Sequence, residues 1–130
     1  MTRDDLARAI VKLPGWRWMP GMRSLDKTMG PARVVLVRAS GDHYVIKEQR
    51  EVDGFRLAAE GWPDLTDAAT GGCLLELLGD AVRHGHLCSD GWLIEYVNGG
   101  AGMPQADGST LGAACARVAL ALGHWPDGGS

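Results

Sequence analysis

The chain is poor in the features that would place it in a specialised class. Its net charge is −3, with 13 Lys and Arg against 16 Asp and Glu. There is therefore no broad positive field of the kind that displaces counterions from duplex DNA or anionic lipid. That excludes nucleic-acid coating but not a local arginine site. No run approaches the roughly 18 uninterrupted apolar residues of a spanning helix, because charges or glycines break every stretch. The opening Met1-Thr2-Arg3-Asp4-Asp5 places acids where a secretion signal needs a basic stretch and then an apolar run. The three cysteines, Cys73, Cys88 and Cys115, are odd in number and unpaired in spacing, so free thiols in a reducing cytoplasm are expected. Phenylalanine occurs once, whereas tryptophan occurs five times.

What is present fits one domain. A length of 130 residues with 45% apolar content can bury its own core. Thr2 and Asp5 form a capping-box pattern ahead of Leu6, Ile10 and Leu13, which predicts a helix from Arg3 to Lys12 before Pro14-Gly15. Trp16 to Met22 is apolar without a period and reads as an ordered loop or irregular edge strand. The β-branched run Arg33 to Arg38, the turn Ser40-Gly41-Asp42 and the segment His43 to Glu48 predict a β-hairpin, and Asp53-Gly54 offers a second tight turn. Asp67 is placed to cap a helix over Ala68–Arg83, which Gly71, Gly72 and Gly79 each weaken by about 1 kcal/mol relative to alanine. Trp92 to Val97 alternates as a strand, and Asn98 to Gly108 reads as a glycine-rich loop. Ser109 or Thr110 then starts a last helix with the stripe Leu111, Cys115, Val118 and Leu122. The expected architecture is an α+β two-layer sandwich over residues 1–125, with a small antiparallel sheet (hairpin plus the later strand), about three helices and a flexible tail at 126–130.

Four groups could carry chemistry. His84, His86 and Cys88 are metal-ligand types within five residues, but a closed zinc site needs four ligands, and they read as a polar helix-to-strand turn. Cys73, near a helix start, and Cys115, inside an apolar stripe, read as small core residues rather than nucleophiles. The loop running into Ser109-Thr110 evokes a phosphate cradle, yet its glycine spacing is one residue too long and no lysine precedes the Ser-Thr pair, so only a simple anion contact is left. Trp16-Arg17-Trp18, with Arg23 and with Arg33 or Arg38 from the first strand, interleaves stacking indoles with guanidiniums that pair with phosphate. The same indoles suit a domain core with Arg17 merely pointing outward. No Ser-His-Asp spacing, paired-carboxylate motif or dinucleotide fingerprint is present.

The segments Leu13-Pro14-Gly15-Trp16-Arg17-Trp18-Met19-Pro20-Gly21-Met22 and Pro63-Asp64-Leu65-Thr66-Asp67-Ala68-Ala69-Thr70, followed by Gly72-Cys73-Leu74-Leu75, resemble small tailed-phage and prophage proteins to which no activity is attached. The order of elements from Thr66 to Trp125 is similar to the phage sandwich domain named for its α-β-α layers. Two departures stand out: Ala68 where such proteins often carry proline, and Leu111-Gly112-Ala113-Ala114 where they carry acids. The smooth last helix should then pack on another helix, from this chain or a second subunit. The resemblance implies an accessory protein acting by binding in the host cytoplasm. The expectation is a non-catalytic, cofactor-free homo-oligomer that sequesters a nucleotide-like signalling ligand at Trp16, Arg17, Trp18, Arg23, Arg33, Ser109 and Thr110. The alternatives are an inhibitor or adaptor docking on a host defence or phage protein, and a small metal-dependent enzyme built on His84, His86 and Cys88.

Overall fold

The computed structural model describes residues 2–25, 32–37, 43–47, 50–52, 61–100 and 102–127. Among these the class is α+β, as expected, with three α-helices. Helix α1 (Arg3–Ile10) opens with the capping box, in which Thr2 and Asp5 exchange backbone–side-chain hydrogen bonds. It buries Leu6, Ala7 and Ile10, the face its sequence period marks.

The first sheet holds five strands in the order β4-β3-β2-β1-β5, all antiparallel. They are β1 (Arg23–Leu25), β2 (Ala32–Val37), β3 (His43–Lys47), β4 (Arg50–Val52) and β5 (Trp62–Pro63). The β2–β3 hairpin is the one the sequence predicts; its turn, Arg38 and the Asp53-Gly54 turn lie outside the described residues. The Trp16–Met22 segment is irregular, and its end docks on β2 through Gly21 N–H to Val34 C=O and Val34 N–H to Met22 C=O, both 2.8 Å.

The second half differs from the sequence expectation in three places. Helix α2 (Ala68–Leu78) stops before Arg83, because Gly79 turns to φ +55° and Asp127 packs where a Cβ at Gly79 would stand. His84 to Cys88 is then no turn but most of strand β6 (Val82–Cys88), which pairs with β7 (Gly91–Tyr96). The end of the glycine-rich loop forms strand β8 (Gln105–Gly108) on the far side of β7. The later strand thus sits at the centre of a second sheet, β6-β7-β8, rather than beside the hairpin. Neither flanking strand carries a clean apolar alternation, since pairing with β7 rather than burial makes them strands.

Helix α3 (Leu111–Leu122) packs on β7 and β8 and against α1 and α2. Gly112 through Ala116, Val118 and Ala119 are buried, so its smooth face is taken up within the chain. One cluster of buried side chains joins α1, Met22, β2, α2, Ile94 and Tyr96 of β7, α3 and Trp125. Beyond α3, Trp125 is 1% exposed, its Nε1 donates to Ile10 C=O at 3.0 Å, and Asp127 N–H donates to Leu77 C=O at 2.9 Å. The chain is therefore held to the fold past residue 125, as far as Asp127.

Candidate functional site

The tryptophan and arginine residues singled out in the sequence are largely committed to holding the fold. Trp16 meets Trp18 edge to face at 5.4 Å between ring centres and lies 5.7 Å from Trp125, so these indoles close the N-terminal loop over the C-terminal end. Arg17 is exposed. Arg23 pairs with Asp64 at 2.5 Å. Arg33 pairs with both oxygens of Asp67, at 2.5 and 2.9 Å, and also donates to Gly21 C=O at 2.9 Å. Both guanidiniums are already paired with a carboxylate, Arg33 in bidentate fashion, and have less left to offer a phosphate.

Those pairs organise the start of α2. Asp67 accepts from the Thr70 backbone N–H and hydroxyl, both at 3.0 Å, while Thr70 Oγ1 accepts from Arg23 N–H at 2.8 Å. Asp64 takes the Thr66 hydroxyl and N–H. Burial alone would push both carboxyls up. The hydrogen bonds from Thr66 and Arg23 to Asp64, and from Arg33 and Thr70 to Asp67, outweigh it and hold both below the ordinary 3.8.

Ser109 and Thr110 fall elsewhere, at a groove the tryptophan segment does not line. Thr110 caps α3 by accepting from Ala113 N–H at 3.1 Å, and its hydroxyl donates to Leu65 C=O at 2.6 Å. This ties the start of α3 to the residues leading into α2. Around the junction lie two cavities of 410 and 290 Å³ that share Trp92 and Ser109. The larger runs from Cys88 and Asp90 past Trp92 to Asp107, Ser109 and Arg117; the smaller is floored by Leu65, Asp67, Thr110 and Gly112. Arg33 reaches this region only through Asp67.

The larger space has the volume of a small-molecule site. Arg117 and Asp107 are 3.5 Å apart and both more than half exposed, so their pairing is weak. Arg117 is also the sole charged residue of α3, a cation set in an alanine-rich helix. That isolation was legible in the sequence. The role of Trp92 was not, because only the meeting of β7 with the start of α3 exposes part of its ring to a cavity.

No protein-family model, curated protein or solved structure matches this chain.

Proposed function

We propose that the protein is a non-catalytic binding module that holds a nucleotide-like small molecule in the groove between β7, β8 and the start of α3. The observation that carries this reading is the pair of adjoining cavities sharing Trp92 and Ser109, with Arg117 at one end. An indole offers a stacking surface to a base, a guanidinium pairs with a phosphate, and the first turn of a helix favours negative charge. Asp90 and Asp107 line the same space and accept hydrogen bonds from sugar hydroxyls or ring amino groups. Their charges also set a limit, since carboxylates outnumber the one arginine, and a ligand with a single phosphate fits better than a polyphosphate. Sequestration, the mode that the phage-type motifs imply, needs only that such a ligand be held more tightly here than by its receptor.

Isothermal titration with nucleosides, nucleoside monophosphates and cyclic dinucleotides tests this. Trp92→Ala and Arg117→Ala should each weaken the binding of the preferred compound by about tenfold or more, roughly 1.4 kcal/mol. Arg17→Ala should leave it unchanged. Binding indifferent to both groove substitutions, or absent for every compound, would remove the basis for the reading.

A second reading, docking on a host or phage protein or on another copy of the chain, has one observation in its favour. Strand β6 is an edge among the described residues, and it carries Leu87 at 72% exposure. Such an edge can accept a strand from a partner. Leu87→Lys would abolish that association in size-exclusion light scattering and leave titration with small molecules unaffected.

A further inference from the structure

We propose that the solvent-facing side of the β6-β7-β8 sheet is a binding site for a divalent transition-metal ion, formed by His84, His86 and Glu95. Along a strand alternate side chains share a face. The buried Ile94 and Tyr96 define the inner face of β7, which puts Glu95 on the outer one. His84 stands across from Glu95, and His86 follows two residues on with the same orientation. The two imidazole rings are 6.1 Å apart and tilted by 32°. His86 Nε2 lies 3.7 Å from Glu95 Oε1, close to the spacing of two ligands on one small cation. Gln105, across from Glu95 on β8, donates to the same oxygen at 3.4 Å, the kind of outer contact that orients a metal-binding carboxylate.

Among the described residues no three His, Cys, Asp or Glu side chains already converge on a metal position. The shortfall is small. Metal–nitrogen bonds near 2 Å bring the ring centres of two imidazoles on one tetrahedral ion to roughly 5 Å apart. Closing about 1 Å from 6.1 Å asks only for a small rotation of the two rings, and both histidines are exposed. Two nitrogens and one carboxylate oxygen select zinc, nickel, cobalt or copper(II) over magnesium or calcium, and leave a coordination position open to solvent.

The geometry also separates this site from the His84, His86 and Cys88 trio suggested by sequence spacing. Cys88 lies four residues along the strand from His84, roughly 13 Å away, which one ion cannot span. Cys88 instead stands across from Gly91 at the end of the ladder.

The test is titration of the untagged full chain with zinc chloride in competition with a chromophoric chelator, together with the visible spectrum of the cobalt(II) form. The expected result is one equivalent bound, weakened at least about tenfold in His84→Ala and in His86→Ala, weakened less in Glu95→Gln and unchanged in Cys88→Ser. The cobalt spectrum should show no thiolate charge-transfer band. Circular dichroism melts of the variants separate loss of a ligand from loss of the fold. Failure of the wild type to bind zinc, equal binding by a folded His84→Ala/His86→Ala variant, or dependence on Cys88 would each overturn the assignment.

Discussion

Replacing Gly112 by alanine sets two known effects against each other, and their magnitudes decide the sign. Gly112 lies in the first turn of α3, where alanine is favoured over glycine by about 1 kcal/mol on helix propensity alone. A Cβ at this position, however, would stand 2.5 Å from Leu65 C=O oxygen, 3.0 Å from Leu65 Cα and 3.1 Å from its carbonyl carbon. All three are backbone atoms, so no rotamer change relieves the overlap. The Leu65 oxygen also accepts the Thr110 hydroxyl at 2.6 Å, and a displacement large enough to admit the methyl group stretches that bond. Gly71 of α2 packs on the same spot, since a Cβ there would be 3.1 Å from Gly112 N, and α2 cannot shift to make room. Overpacking of this kind costs about 1–3 kcal/mol, and a lost hydrogen bond about 1 more. The net expectation is a destabilisation of about 1–3 kcal/mol, which for a chain of this size lowers the melting temperature by roughly 4–11 °C. Gly72, one residue along from Gly71, is the control: it is exposed and nothing lies within 4 Å of its would-be Cβ. Gly72→Ala should raise the melting temperature by about 2–4 °C through propensity alone. Calorimetry of both variants checks the pair. A Gly112→Ala protein that melts at or above the wild type would refute the close approach of α3 to the α2 lead-in, and with it the shape of the groove.

Two further outcomes follow from the titratable groups. Asp64 and Asp67 have folded-state pKa values below their unfolded ones, so their contribution to stability is complete above about pH 5 and is lost as the pH falls through the folded values. Melting temperature should be flat from neutral pH down to about 5 and then drop, and Asp64→Asn/Asp67→Asn should flatten the acid limb while lowering the plateau. Among the thiols, burial pushes Cys115 up to about 12, and burial together with Glu76 and Asp67 raises Cys73, while Cys88 is exposed. Mass-mapped alkylation at neutral pH should modify Cys88 first, Cys73 slowly and Cys115 only on unfolding; equal labelling of Cys88 and Cys115 would contradict the burial of α3.

Features decided within a turn of helix or one hairpin could be read from the sequence. Thr2, Asp67 and Thr110 cap the three helices because a cap needs a hydroxyl or carboxylate only three residues from the N–H it accepts. The β2–β3 hairpin follows from a β-branched run bounded by turn residues, and the shared face of Ile94 and Tyr96 from local alternation. Strands β6 and β8 escaped because neither shows an apolar alternation or a buried face, and only pairing with β7 gives them their conformation. The allocation of the arginines was beyond local pattern altogether. Arg23 finds Asp64 41 residues away, and Arg33 finds Asp67 34 residues away. Trp125 reaches Ile10 across 115 residues, which turns a stacking motif into a lock between the chain's two ends. Composition, caps and periodicity therefore determined the α+β class and the candidate groups. Which of those groups are used up by the fold, and which face a cavity or solvent, was decided by contacts between residues far apart in the chain, where neither spacing nor propensity carries information.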